Sequence, residues 1–411
     1  MTLKKTMLVG ASCLSLMALS SPQEASATPV FARQTSQSCA ACHFQRFPLL
    51  NAYGRSFKAN GYTTVGKQGT IEDTNLSTPA TLNAGLVTKF RYQKTNGTAD
   101  TELNAGQFQV PDEAFLSIGG KVAKNIGFQA EISLVSPASI VGFKVPFVFP
   151  ATKDITFLTV PFYTDAQGAA FGYELLNTGA LRFSRAFENR NEASAQQYIG
   201  AAHKTTGVAL VAQHKYGYLS YTPYLVKDVM TDGITFSSGR PLSYIRGVVT
   251  PEKVGDWDLA AGAQIWTGSS TEGTAAAPTR NHASAWAIDA QAQGKAGDMP
   301  LGVYVAYGSA AASKAGQTAN FYNASSVGSK NALSIATELG IVPNRLGIGV
   351  AYRNANSGAG AADNDNALTL GANYQIARNM IFQLNHSFYS GDVKTDAVGK
   401  QLTTAMFYSA F

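Results

Sequence analysis

Three residues with reactive side chains stand together near the start of the chain, in the stretch SQSCAACHFQRF. Cys39, Cys42 and His43 include two of the three cysteines and one of the five histidines in 411 residues. The spacing C-x-x-C-H is the attachment signature of c-type haem, because two thiols add to the two vinyl groups and the adjacent histidine ligates the iron. The motif predicts one covalent haem c, attached through Cys39 and Cys42, with His43 as the proximal iron ligand.

Other chemistries of a cysteine pair fit this stretch less well. A thioredoxin-like redox pair lies in a β-α-β pattern, which the surrounding sequence does not show. A structural zinc site requires further cysteine or histidine ligands nearby, and the next histidine is His203. A plain disulfide leaves His43 unexplained. Covalent haem is therefore the interpretation that accounts for all three residues.

The N-terminal residues have the pattern of an export signal. Two lysines at 4–5 precede an apolar stretch over 7–19, and Ala25-Ser26-Ala27 forms an A-x-A cleavage site. We expect a signal peptide over 1–27, which removes the third cysteine. The mature chain then begins at Thr28 in an oxidising, bacterial-type periplasm or beyond.

From residue 81 onward, apolar and small or polar residues alternate with a period of two. In Leu346 to Tyr352 large apolar side chains occupy every second position, and glycine or alanine fills the others. The alternation recurs over 286–293, 368–375 and 380–388. One face of such strands suits lipid and the other a polar, water-filled lumen. The pattern predicts a transmembrane antiparallel β-barrel over 81–411, in contact with outer-membrane lipid.

The connections between the expected strands alternate in length. Short turns on one side and long loops on the other are typical of outer-membrane barrels. Tight turns are expected near 124–125, 215–216, 253–256, 296–298, 342–344 and 378–379, and longer polar segments over 93–112, 228–240, 268–281, 308–330, 354–366 and 390–401. We expect an all-β fold of about sixteen strands in the bacterial outer membrane. The stretch 136–197 shows no clear pattern.

The segment over 28–80 carries the haem motif and one expected helix. Pro48 can occupy the first turn of that helix, and Gly61 supplies a C-terminal stop. About fifty residues rarely build a sufficient hydrophobic core alone. We therefore expect this short α-helical haem segment to pack in or against the barrel.

The sixth position of the haem iron has several candidate ligands. After His43 there is no histidine before His203 and no methionine before Met230. The alternatives are a barrel side chain that faces the lumen, the new N-terminal amine, a nearby lysine, or an open position. The stretch TPVFARQ resembles the start of mature cytochrome f, where the N-terminal amine ligates the iron. The barrel candidates are His203, His214, Met230 and Met299, the amine is that of Thr28, and the lysines are Lys58 and Lys67. His386 is disfavoured because its strand face is expected to contact lipid.

The haem segment is also rich in basic residues. Guanidinium and ammonium groups can pair with the two haem propionates, or they can remain solvated at the surface. The residues are Arg33, Arg46, Arg55, Lys58 and Lys67.

The combination of export signal, single N-terminal motif and barrel resembles the fused monohaem cytochrome-porins of iron-oxidising bacteria. The stretch FARQTSQSCAACHFQRFPLLNAYGRSFKANGY, Phe31 to Tyr62, carries the resemblance in detail. It implies an outer-membrane electron-transfer protein that oxidises extracellular Fe(II) and passes electrons to a periplasmic c-type cytochrome. Acidic residues of the expected loops could attract Fe(II), or they could be ordinary solvated charges. These residues are Asp100, Glu102, Asp112, Glu113, Asp363, Asp365, Asp392 and Asp396.

Other functions remain open at this point. The chain could be an electron conduit for another donor or acceptor, a solute porin with a haem-bearing plug or sensor, or a haem peroxidase. The net charge of +6 comes from dispersed residues without a basic tract, which argues against a nucleic-acid partner. We find no Ser-His-Asp set, phosphate-binding loop or G-x-G-x-x-G pattern that would indicate a hydrolase or nucleotide enzyme.

Overall fold

The structure is a computed structural model that describes residues 30–74, 76–135, 138–180, 192–226, 240–274, 277–377 and 379–411. The expected signal peptide over 1–27 and the amine of Thr28 lie outside the described residues. Within these ranges, no helix is long and apolar enough to cross a membrane.

Three short helices and a two-stranded ribbon precede the barrel. They are α1 (Val30–Thr35), α2 (Cys39–Cys42), α3 (Ala52–Ala59), β1 (Thr70–Glu72) and β2 (Ser77–Pro79). The expected helix is α3, which starts after an Asn51 N-cap and stops before Gly61, a residue with a φ of +63°. Pro48 lies before this helix and not in its first turn, because Asn51 provides the cap.

The barrel is a single closed antiparallel sheet. Its strands are β3 (Ala84–Thr95), β4 (Gln107–Ala123), β5 (Ile126–Ser133), β6 (Ser139–Lys144), β7 (Phe147–Pro150), β8 (Ile155–Thr164), β9 (Thr205–His214), β10 (Gly217–Leu225), β11 (Leu242–Val249), β12 (Asp258–Thr274), β13 (Ala277–Ala296), β14 (Met299–Ala310), β15 (Lys330–Val342), β16 (Leu346–Asn356), β17 (Asn366–Ala377), β18 (Met380–Ser390) and β19 (Gln401–Ala410). Because β6 and β7 both pair with β5 and β8, they share one position, and the described residues form sixteen strand positions.

The alternation read from the sequence is confirmed strand by strand. On β16 the side chains of Ile348, Val350 and Tyr352 are exposed on the outer face, while Ala351 between them is buried. The lumen-facing positions differ from the expectation of a water-filled interior. Gln383 and Asn385, for example, are only 2% and 4% exposed. Side chains and inserted segments pack against much of the inner wall.

Connections alternate between a short-turn end and a long-loop end of the barrel. On the long-loop side, the connection over 96–106 contains helix α4 (Thr101–Ala105), and the described parts of 165–204 contain a 3₁₀ turn (Ala169–Phe171) and α5 (Ala195–Tyr198). The expected long segment over 268–281 is wrong, since β12 and β13 continue as a paired hairpin to Thr274 and Ala277. The expected connection over 228–240 lies almost entirely outside the described residues.

Candidate functional site

The N-terminal segment, residues 30–67, lies inside the barrel at the short-turn end. Arg46 Nη2 is 2.5 Å from Glu338 Oε1, four residues before β15 ends. Arg55 Nη2 is 2.6 Å from Asp258 Oδ2, the first residue of β12. Both partners therefore belong to strand ends on the same side of the barrel.

Hydrogen bonds between uncharged groups and ring stacking hold the same segment against other strands of the barrel wall. Gln34 Oε1 accepts a hydrogen bond from the backbone N–H of Lys121 at 2.9 Å. The Gln375 side chain donates to Gln45 O at 2.8 Å. The Phe47 ring stacks on Tyr408 with centroids 5.5 Å apart. The predicted packing of the segment within the barrel is thus confirmed on strands β4, β12, β15, β17 and β19.

Two arginines of this segment have partners that the sequence did not suggest. The Arg46 and Glu338 side chains are 1% and 3% exposed. Arg46 is therefore not a solvated surface charge, and its partner is a protein carboxylate and not a haem propionate. Arg55 is likewise paired with the barrel. Lys58 is half-buried, and its burial lowers the pKa of the ammonium group, an effect that nearby Glu174 partly offsets.

The cysteines of the motif form a single helical turn. Cys39 and Cys42 begin and end α2, and residues three apart lie on one helix face. Neither is in a disulfide, and both are half-buried. Burial raises the pKa of the Cys42 thiol, and its neighbour Cys39 raises it further. The pair therefore presents two thiols side by side, as attachment of one haem requires.

His43 follows directly as the C-cap of α2. Its Nδ1 lies 3.2 Å from Leu49 O, and a carbonyl can only accept, so Nδ1 carries the proton. Burial lowers the pKa of His43 to about 4, which keeps the imidazole neutral near pH 7. Nε2 then retains its lone pair. Iron-ligating histidines commonly have this bonding at the other ring nitrogen, so the residues fit a c-type haem.

Helix α3 holds the motif turn through Asn51 and Gly54. The Asn51 N–H donates to Cys42 O at 3.0 Å, and its side chain donates to Ala41 O at 3.0 Å. The same side chain accepts from Gly54 N at 2.9 Å. A Cβ at Gly54 would stand 2.1 Å from Cys42 O. Only glycine allows this approach of the two helices.

The long loop connects β8 and β9, and its described parts, residues 165–180 and 192–204, fold into the lumen and meet the N-terminal segment. Arg246 on β11 lies between Glu174 of the loop at 2.8 Å and Asp289 of β13 at 2.5 Å. Thr178 donates to Asp289 at 2.6 Å. Asn177 bonds both backbone groups of Leu50. Sequence reasoning missed these contacts, because the loop sequence has no hydrophobic periodicity and the partners are far apart along the chain.

An aromatic cluster fills the lumen nearer the long-loop end. Trp266 lies 5.3 Å from Tyr244 and 5.7 Å from Tyr322 between ring centroids. The Tyr322 hydroxyl bonds Tyr224 at 2.7 Å and His203 Nε2 at 3.2 Å. These four aromatic side chains are at most 2% exposed. The cluster packs the wall of β10–β12 against the loop over 311–329.

The expected barrel ligands are not placed beside His43. His203 precedes β9 at the long-loop end, opposite the N-terminal segment. His214 and Met299 lie at the short-turn end but are exposed on the outer face, so the expectation that they face the lumen is wrong. His386 contacts Phe388 on the lipid-facing side, as expected. Met230 lies outside the described residues.

Several acids that might attract a cation already have protein partners. Asp112 is 2.7 Å from Lys89 and 2.8 Å from Arg91. Asp365 is 2.5 Å from Arg353, and Asp396 is 2.7 Å from Lys400. In the described part of the chain, no group of three or more His, Cys, Asp and Glu side chains is arranged to hold a metal ion.

Comparisons with known proteins concern the barrel. No family model matches the chain, and no curated protein matches it. OmpT, an outer membrane protein of Vibrio cholerae, has 11% identity and a TM-score of 0.46 over 83% of this chain and 98% of that one. OccK10 of Pseudomonas aeruginosa has 11% identity and a TM-score of 0.46, over 80% of this chain and 99% of that one. A mutant of the Rh. blastica porin has 12% identity and a TM-score of 0.47, over 80% of this chain and 100% of that one.

The class of the protein follows from its own geometry. Sixteen strand positions close on themselves in the described residues, so the barrel sheet has no unpaired edge there. Closed barrels with an apolar exterior can cross a lipid bilayer because every backbone group is paired within the sheet. The chain is a β-barrel protein of the bacterial outer membrane. Its short-turn end faces the periplasm and its long loops face outward.

Proposed function

We propose that the protein transfers electrons across the outer membrane through one covalent haem c, as an Fe(II)-oxidising oxidoreductase. Extracellular Fe(II) is the donor and a periplasmic c-type cytochrome the acceptor. Haem bound at Cys39 and Cys42 would supply a one-electron couple. The observation that carries the proposal is the C-x-x-C-H turn with the Nδ1–H of His43 bonded to Leu49 O.

The position of the N-terminal segment supports the acceptor side of this proposal. Arg46 and Arg55 hold the segment at the short-turn end, where a periplasmic protein can approach without entering the apolar band of about 25 Å. On the other side, the long loop and the aromatic cluster lie between the segment and the outer surface. Electrons from an extracellular donor must therefore cross packed protein.

Turnover across a sealed membrane tests the complete proposal. We expect Fe(II) added outside proteoliposomes to reduce mitochondrial cytochrome c enclosed inside them. The double variant C39S/C42S, reconstituted at the same density, should leave the enclosed cytochrome oxidised. Equal reduction with both proteins would show that Fe(II) or electrons leak by another route, and would overturn the proposal.

A solute porin with a haem-bearing plug is the second candidate, favoured by the closed barrel alone. Single-channel recording in a planar bilayer separates the two functions. Steady ion conductance that is independent of redox state supports the porin. The buried inner wall, with Arg246 and Gln264 both 0% exposed, instead leads us to expect little conductance from the native protein.

A further inference from the structure

The long loop reaches the haem-binding turn at Leu50, where Asn177 bonds both backbone groups. Asn177 Oδ1 accepts from the Leu50 N–H at 2.7 Å, and Asn177 Nδ2 donates to Leu50 O at 3.0 Å. The carbonyl of Leu49, which accepts from His43 Nδ1 at 3.2 Å, belongs to the same peptide unit as the Leu50 N–H. Asn177 and His43 are therefore joined through a single rigid amide plane.

We infer that Asn177 is a positioning residue that sets the orientation and basicity of the His43 imidazole through this peptide unit. The inference rests on the proposed haem. An N–H that donates polarises its own amide, so the carbonyl on the other side becomes a stronger acceptor. A stronger acceptor at Nδ1–H makes the imidazole a more basic ligand. A more basic ligand stabilises the oxidised iron and lowers the potential.

The barrel wall holds Asn177 in place for this role. Its backbone N–H donates to Gln291 Oε1 on β13 at 2.8 Å, and the neighbouring Thr178 donates to Asp289 on the same strand. Asn177 is 3% exposed. Because the wall is a continuous sheet, the amide of Asn177 is fixed relative to the barrel and not only to the small N-terminal segment.

The test is the midpoint potential of N177A, measured by spectroelectrochemistry on detergent-purified protein with its covalent haem quantified. At a fixed potential, we expect the ratio of reduced to oxidised haem to be about tenfold higher in N177A than in the wild type. This corresponds to a midpoint potential that is about 59 mV higher for a one-electron couple. N323A is the matched control. Asn323 is also a buried asparagine, with side-chain bonds to Ala310 O and Gly328 O, but it lies in the loop over 311–329. N323A should keep the wild-type potential.

A potential of N177A equal to that of the wild type overturns the inference. If N177A does not fold, Q291A removes the anchor of the Asn177 N–H instead, and it should raise the potential in the same direction. An unchanged potential in Q291A then counts against the inference. Wild-type protein without covalent haem would overturn the proposed function and this inference together, whereas a haem-bearing wild type with unaltered variants overturns the inference alone.

Discussion

At the scale of single residues, chemistry is concentrated in one helical turn and its immediate neighbours. Cys39 and Cys42 place two thiols on one face of α2. His43 Nδ1 is bonded to a backbone carbonyl, which leaves Nε2 as the nitrogen that would bind the iron of the proposed haem. A motif of five residues predicts this set as a haem attachment site, because its spacing is imposed by the size of the haem.

The cysteine pair yields the most direct residue-scale prediction. C39S/C42S removes both thioether attachment points, so we expect a polypeptide without haem staining after denaturing electrophoresis. The barrel does not depend on these side chains, and its heat-modifiable migration should be unchanged. Covalent haem retained in the double variant would contradict the assigned attachment residues.

A second residue-scale prediction concerns pH. Burial lowers the pKa of His203 to about 4, below the unfolded value of about 6.5. As pH falls from 6.5 toward 4, the unfolded chain binds a proton that the folded chain does not, so stability decreases. We expect the urea midpoint to fall less steeply over this range in H203Q than in the wild type.

The matched control for this experiment is H214Q. His214 is exposed at the short-turn end, away from the Tyr322 cluster, so H214Q is a histidine replacement that leaves this cluster intact. Parallel slopes for H203Q and the wild type would show that His203 is not buried against the Tyr322 cluster.

At the scale of elements, the approach of α2 and α3 depends on Gly54. G54A places a methyl carbon against Cys42 O, where a Cβ would stand 2.1 Å away. We expect the helices to separate and the yield of covalent haem per barrel to fall several-fold. The measurement is the ratio of haem to protein absorbance after purification.

Gly360 provides the control for the added methyl group. It lies in the loop over 357–365 with nothing within 4 Å of a Cβ, so G360A should keep the wild-type haem ratio. Equal haem ratios in G54A and G360A would contradict the close packing described for the motif.

The elements also show where sequence reasoning succeeds and where it stops. Strand β16 was predictable because lipid and lumen select opposite residue types at alternate positions. The long loop was not, because its irregular backbone is fixed by contacts such as Asn177 to Leu50, which are 127 residues apart. The arginine partners were hidden for the same reason. A charge in the sequence does not reveal which distant carboxylate it meets.

At the scale of the whole molecule, the N-terminal segment closes the periplasmic end of the barrel. E338Q leaves Arg46 buried without a counter-charge, and breaking a buried pair in this way costs about 3–5 kcal/mol. We expect the segment to detach part of the time, which should appear as flickering ion conductance in planar bilayers and faster protease cleavage between residues 30 and 67.

The exposed pair of Lys400 and Asp396 is the control for this prediction. Its side chains are 50% and 90% exposed, and such pairs contribute little. D396N should therefore conduct and resist protease like the wild type. Indistinguishable behaviour of E338Q and D396N would mean that the Arg46 pair does not hold the segment in the barrel.

We propose that this barrel carries a covalent haem c which Fe(II) can reduce. The most direct measurement is the visible spectrum of the oxidised, detergent-purified protein before and after anaerobic addition of Fe(II). Rapid appearance of the sharp reduced bands of a c-type haem is the predicted result. Reduction by dithionite but not by Fe(II) would contradict the iron-oxidising function and point to a conduit for another donor, and a spectrum without haem bands would contradict the account as a whole.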